Sequence, residues 1–248
     1  MKFSLITVCR NAASVIGETL ESVMGQTHPD IEVIVIDGAS TDGTQAIVDL
    51  YKDRIAHFVS EPDKGIYDAM NKGLRAATGD IIGFVNAGDL LMTPDVIAQL
   101  VGTFQRSGAD AVYGDIIMVD AIDLQKVKRT WRSGAYDRLN FRKGWMPPHI
   151  ATFIKRSVYD RFGHFRDDLR IAADYEILHR FLYKERISAI HLPEILVRFR
   201  LGGMSNGSVR HVLEANREVR RSWRLNGQPA PPLLVTRKLW SKVLQFFH

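Results

Sequence analysis

Ile31-Glu32-Val33-Ile34-Val35-Ile36-Asp37 is a short apolar run that ends on an acid, and Ile81-Ile82-Gly83-Phe84-Val85-Asn86-Ala87-Gly88-Asp89 repeats the pattern downstream. Runs of this length, rich in Ile and Val and bounded by Gly and Asp, read as buried strands of a parallel sheet. Lys2 to Val8 and Ile55 to Ser60 supply two more strands. Between them lie segments of helical period. Ala12 to Met24 is one, and Thr44 to Tyr51, capped by Ser40, Thr41 or Asp42, is the next. Gly65 to Ala77, closed by Gly79, follows, and then a helix opened by Thr93-Pro94-Asp95 that runs to about Arg106. Repeated strand-helix-strand units predict parallel pairing with right-handed crossovers. Ligands of such sheets bind outside the carboxyl ends of the strands, where the loops converge. Asp37 and Asp89 are therefore predicted to face one crevice, and Asp174 is the third acid of interest, inside a predicted helix. The class is α/β, and the crevice should bind something polar and act on it.

Beyond Asp110 the pattern changes. Ala111 to Val119 and Gln125 to Trp131 read as antiparallel strands joined across 120–124. A loop around Trp145-Met146-Pro147-Pro148-His149 leads to a strand over Ile150 to Ile154 and a helix containing Ala172-Ala173-Asp174-Tyr175-Glu176. Ile187 to Ile190 and Ile195 to Arg200 are short strands, Ser208 to Leu225 is a polar helix, and Gly227 to Pro232 links to a last helix. There is no internal repeat.

With 248 residues and 46% hydrophobic content the chain can bury one large core and carry an appended subdomain. Lys and Arg outnumber Asp and Glu by 33 to 28, and the excess lies from Lys126 onward. That suits an anionic partner, whether a phosphorylated substrate, a membrane or a nucleic acid, and equally a solvated basic face. The charge is scattered, without the basic-aromatic face of a nucleic-acid module, so no nucleic acid is expected. The lone Cys9 excludes an internal disulfide and reads as a small core residue. The start MKFSLITVCRN is too short for a signal core, and no stretch reaches about 18 apolar residues. The expectation is a cytoplasmic protein that does not cross a bilayer.

No G-x-G-x-x-G follows the first strand and no G-x-x-x-x-G-K-[ST] occurs, which removes nicotinamide, flavin and P-loop readings. What stands there instead is ITVCRN (6–11), VIDGASTDGT (35–44), SEPDKGIYDAMNKGL (60–74), FVNAGD (84–89) and, later, AADYEILHRF (172–181). Five motifs in this order resemble the inverting glycosyltransferases of family 2, over about residues 3 to 205. The run EPDKGIYDAMNKG with NAGD is similar to the bacterial transferases that build exopolysaccharide, capsule or O-antigen units. The resemblance implies a GT-A fold: a nucleotide-binding mixed sheet flanked by helices. Residues 1–110 would form the half that binds a nucleotide-diphosphate sugar of UDP or GDP type, 111–205 the acceptor half, and 206–248 a C-terminal helical extension. The acceptor would be a lipid-linked saccharide.

Within that frame Thr7, Asn11, Asp37, Asp63, Gly65, Tyr67, Asn71, Asn86 and Asp89 are the expected donor-binding residues. A carboxylate at a strand end accepts from base N–H or ribose hydroxyl groups; Asp37 could instead make only an Asx turn. Gly65 opens a helix whose N-terminus favours a diphosphate, while Asp63 reads either as a nucleoside contact or as that helix's cap. Asp89 is the expected ligand of a Mg or Mn ion that offsets leaving-group charge, although Gly88 stands where a further acid often does. His149 is either a further ligand, an acceptor-side hydrogen bonder or a structural His. Asp115 lines the acceptor side or makes a turn, and Arg200, before Leu201-Gly202-Gly203-Met204-Ser205, contacts the acceptor side or closes a loop over the diphosphate. Asp174 is the expected general base, since single-displacement inversion needs a carboxylate to take the acceptor's proton; capping its helix is the bland alternative. The basic, apolar stretch 233–248 either lies on an anionic membrane or packs on protein. Asn206-Gly207-Ser208 matches a glycosylation sequon by chance. A nucleotidyltransferase of similar fold and a non-catalytic nucleotide-sugar binder are the rival functions. The first lacks a Gly-rich, basic loop after its first strand, and Asp174 argues against the second.

Overall fold

A computed structural model describes residues 1–202, 209–232 and 234. Elements follow in the order β1 (Phe3–Cys9), α1 (Ile16–Met24), β2 (Ile31–Asp37), α2 (Thr44–Asp49), β3 (His57–Ser60), α3 (Ile66–Ala76), β4 (Ile81–Phe84), β5 (Leu90–Leu91) and α4 (Val96–Ser107). Then come β6 (Ala111–Val119), β7 (Val127–Trp131), β8 (Thr152–Lys155), α5 (Arg156–Phe162), α6 (Ala173–Leu178), β9 (Ala189–Arg200) and α7 (Val209–Leu225). A π-helical turn, His179–Lys184, extends α6.

All of these strands join one sheet in the order β3-β2-β1-β4-β8-β6-β9-β5, with β7 paired to β6. The first four strands in that order are parallel, as the strand-helix alternation predicts. β8 then enters antiparallel between β4 and β6, and β6 runs parallel to β9. The sheet is therefore mixed and continuous through both halves of the chain. Side chains alternate across it. Ile6, Val8, Ile34, Ile36, Ile82 and Phe84 face α3, α6 and α7 in one core, while Phe3, Leu5, Val33, Val35 and Ile81 face α1 and α4 in the other. α7 is part of the first core: its Val219 and Trp223 are fully buried there.

Several details depart from the sequence reading. The two short strands expected at 187–190 and 195–200 are one strand, β9. Its partner β6 matches Tyr113 with His191 and Asp115 with Ile195, so 192–194 bulge opposite Gly114. The bulge accommodates Pro193, which has no N–H to donate, and a side chain on Gly114 would overlap Leu196. Gly79 does not close α3, which ends on extended Ala77. It is small because a Cβ there would meet Ser4 Oγ at 2.6 Å. Thr93 and Pro94 precede α4 as a turn, and Asp95 is its N-cap residue. The two-residue β5 and the short α5 were not expected. The last helix, the sequon and 203–205 fall outside the described residues.

Candidate functional site

The loops at the carboxyl ends of β1, β2, β4 and β9, with the entry to α6, carry most of the residues singled out. Asp37 ends β2 and is fully buried. Its carboxylate accepts from Ser40 N (3.0 Å), Ser40 Oγ, Ser60 Oγ (2.6 Å) and, at 3.6 Å, the Cys9 thiol. Burial alone would raise its pKa, but these hydrogen bonds outweigh it and hold the group below the usual carboxylate range. The turn geometry weighed for Asp37 is thus present, and a ligand here meets a preformed loop. Asn11, in the left-handed region at φ 49°, fixes the same loop: its Oδ1 accepts from Thr41 N at 2.9 Å and its N–H donates to Ser40 Oγ at 2.7 Å. Thr7 is buried in β1, and its hydroxyl has no partner among the described residues. Asp63 caps the turn into α3, accepting from Gly65 N at 2.9 Å, and its other oxygen lies directly over Gly38. The space around Gly65 is open.

Asp89 follows β4 in a tight turn, its N–H donating to Asn86 O at 2.9 Å. Gly88, at φ +100°, donates to Thr19 Oγ1 at 2.9 Å. Burial pushes the Asp89 carboxyl up to about 8 against the backbone N–H and charge of Arg200. Arg200 ends β9 beside Gly88, with its guanidinium paired to Glu18 of α1 and 3.4 Å from Ala121 O. The buried Asn86 Oδ1 has no partner among the described residues. No cluster of three or more His, Cys, Asp or Glu suited to a metal occurs among them either.

Asp174 lies in the first turn of α6, half-buried. Its Oδ1 accepts from Tyr175 N at 2.7 Å and lies 3.4 Å from the Tyr67 hydroxyl, which itself donates to Ile171 O at 2.8 Å. Its Oδ2 accepts no hydrogen bond among the described residues, which leaves a carboxylate lone pair available. His149 sits between the rings of Phe84 and Phe165, with centroids 5.2 and 5.3 Å away, and burial lowers its pKa against the opposing charge of Asp174. A neutral imidazole beside a carboxylate results. Asn71 is spent on Phe165, whose N–H and C=O it pairs at 3.0 and 2.9 Å, so it ties α3 to the segment ahead of Asp174.

Asp115 lies within β6 rather than in a turn. It is 2% exposed and accepts from Ser133 N at 2.8 Å, with His191 Nε2 at 2.9 Å. The sequence reading missed Ser60, Glu18 and Glu218, which act on Asp37, Arg200 and the 170–172 backbone from other elements. Ser60 opens the SEPDKGIYDAMNKGL motif but carried no role there, and no local pattern marks Glu18 or Glu218.

A family model described as "Glycosyl transferase family 2" matches residues 4–163. A PGL/p-HBAD biosynthesis glycosyltransferase of Mycobacterium tuberculosis is 30% identical over 211 residues, covering 82% of this chain and 79% of that protein. An uncharacterized glycosyltransferase of the same species is 34% identical over 179 residues, covering 71% and 67%. Among solved structures, S. aureus TarS 1-349 in complex with UDP-GlcNAc superposes with a TM-score of 0.73 at 20% identity, covering 90% of this chain and 66% of that one. The mannosyltransferase PcManGT from Pyrobaculum calidifontis, in complex with GDP-Man and Mn2+, gives 0.68 at 22%, covering 96% and 69%. At these identities the structural likeness speaks to the fold, which is GT-A.

Proposed function

The chain belongs to glycosyl transferase family 2, and from that premise we propose that it transfers a sugar, with inversion, from a UDP- or GDP-type donor to a saccharide hydroxyl. The observation that carries the reading is Asp174: one oxygen is fixed by Tyr175 N beside Tyr67, and the other accepts no hydrogen bond among the described residues. The acceptor hydroxyl attacks the anomeric carbon, the bond from that carbon to the diphosphate oxygen breaks, and the hydroxyl proton passes to Asp174. Asn11, Asp37 and Asp63 build the nucleoside end, and the open N-terminus of α3 at Gly65 receives the diphosphate. Neutral His149 hydrogen-bonds on the acceptor side.

Asp89 and the orphaned Asn86 amide oxygen are both hard oxygen donors. They fit a Mg or Mn ion that takes its remaining ligands from diphosphate and water. Such an ion, when bound, supplies positive charge to the departing diphosphate. The acceptor we propose is a lipid-linked saccharide of a bacterial surface polysaccharide, reached at the cytoplasmic membrane face. The EPDKGIYDAMNKG and NAGD motifs support this, as does a relative named for PGL/p-HBAD biosynthesis. No helix among the described residues is long and apolar enough to cross a membrane. The stretch 233–248 expected to touch one lies outside the described residues, apart from buried Leu234.

The test is a melting panel of UDP, GDP, dTDP and CMP with and without Mg or Mn, since binding to the native state raises Tm. One diphosphate should stabilise selectively, more so with metal and not in Asp89→Ala. Asp174→Asn should lose transfer while keeping nucleotide affinity; an active Asp174→Asn enzyme removes the base assignment.

A further inference from the structure

Three consecutive backbone N–H groups, those of Arg170, Ile171 and Ala172, donate to the carboxylate of Glu218 at 3.0, 2.8 and 2.8 Å. Glu218 belongs to α7, beyond the stretch that the family model matches. We propose that Glu218 is the positioning residue for Asp174, acting through the 170–172 backbone.

The segment it holds leads directly into α6. Ala172, the N-cap residue of α6, makes no side-chain cap bond; within the first turn Tyr175 N is taken by Asp174 Oδ1, while the N–H groups of Arg170, Ile171 and Ala172 just ahead of the helix need an acceptor from elsewhere. Glu218 supplies that acceptor from another element, and its charge suits a helix N-terminus. The Ile171–Ala172 peptide is consequently pinned on both sides. Its N–H, on Ala172, is held by Glu218 and its C=O, on Ile171, accepts from Tyr67, the same hydroxyl that lies 3.4 Å from Asp174 Oδ1. With the peptide fixed, Asp174 is presented at a set depth and its free oxygen faces a set direction. α7 can serve as the anchor because it is itself fixed: Val219 and Trp223 are buried, Trp223 Nε1 donates to Tyr175 OH at 3.0 Å, and Asn226 donates to Glu176 at 3.1 Å. Arg221 adds a second hold on the segment, at 2.7 Å from Asp168 Oδ2. Three N–H groups of a loop with no regular structure of its own thus donate to one carboxylate. They aim the residue that follows.

The inference rests on Asp174 being the general base, and the experiment separates the two claims. Nucleotide diphosphate release is measured for the unaltered chain, E218A, E218Q, D174N and the double variant D174N/E218A. The donor is the one chosen by the melting panel, and the acceptor is a saccharide, or water, that gives turnover. Tm and nucleotide affinity by calorimetry are followed alongside. A misplaced base costs on the order of 100-fold in rate, so E218A should lose about that much kcat while donor KM and nucleotide Kd stay within about twofold. E218Q, which folds with one acceptor oxygen retained, should lose less. The acid limb of the pH profile of kcat/KM should move in E218A. Adding E218A to D174N should cost nothing more, because residues that act as a unit are not additive. E218A and E218Q with unchanged kcat and a lower Tm overturn the proposal, as does loss of nucleotide affinity in step with kcat. D174N inactive with E218A at full rate overturns this inference alone; D174N active overturns it together with the base assignment.

Discussion

Gly38 has no side chain where one would overlap Oδ2 of Asp63 and lie 3.3 Å from Arg10 Cδ. Asp63 is only part-buried and can swing aside at the expense of its bond to Gly65 N, so Gly38→Ala should cost no more than about 1 kcal/mol of stability yet displace the carboxylate from the nucleoside end. The expected outcome is a nucleotide Kd weakened about tenfold, roughly 1.4 kcal/mol, read by calorimetry with little change in Tm; lower Tm with unaltered affinity would assign Gly38 to packing alone. Asp37, Asp63 and Asp174 were legible in the sequence because each ends a strand or opens a helix inside a recognisable motif. Glu218 was not, since its partners lie 46 to 48 positions away along the chain and nothing in the α7 pattern distinguishes it. Cys9 behaves as its position in an apolar strand suggests: burial, with Asp37 beside it, pushes the thiol pKa well above its ordinary value. Such a thiol is inert rather than nucleophilic.

At the scale of elements, α3 lies so close to β1 that a Cβ at Gly73 would overlap the side chain of Ile6. Alanine there gains up to about 1 kcal/mol of helix propensity, but overpacking a buried contact costs about 1–3 kcal/mol. Gly73→Ala should therefore be net destabilising, seen as a lower urea midpoint at unchanged m-value. Because α3 carries Tyr67 and Asn71, any lift of the helix should also be felt at the Asp174 segment. The long elements were legible from their periodicity, including α7 as a polar helix. β5 was not, having two residues and no period to read. The division of β9 into two strands had a physical cause, because Pro193 reads as a break until Gly114 opposite reveals a bulge. The strand over Ile150 to Ile154 was read in the sequence, but the antiparallel place of β8 between β4 and β6 was not, since pairing partners so far apart in sequence leave no local trace.

For the molecule as a whole, His179 is the most telling titratable group. It is fully buried against Tyr175, Tyr183 and Trp223, with Nδ1 3.3 Å from Asn226 Nδ2 and no partner for Nε2 among the described residues. Burial, with a smaller push from Lys184, takes its pKa down to about 3. Between that value and the ordinary one near 6.5 the unfolded chain binds a proton that the native chain does not. Stability from this group is complete above about pH 6.5 and falls with pH at up to ~1.4 kcal/mol per unit. Urea unfolding at pH 7 and pH 5 should show a loss on the order of 2 kcal/mol from this group. His179→Phe should remove that share of the slope, and an identical slope in the variant would refute it. Glu32, held down to about 2 by Lys2, Ser4 and Thr78 against its burial, adds a separate loss at lower pH that the variant retains.

The place of β8 in the sheet also bears on how the chain folds as it is made. β4 pairs with β1 on one side, but its other neighbour is β8, encoded by residues 152–155. At roughly 5–20 residues per second, the ribosome leaves the hydrogen-bonding groups of Ile81 and Ile82 on that side unpaired for several seconds. A nascent chain that has finished the parallel strands thus carries an open, apolar sheet edge, the feature most prone to pair with a neighbouring copy. Slowing translation between residues 85 and 152 should accordingly lower the yield of folded protein, whereas the same pause after residue 155 should not.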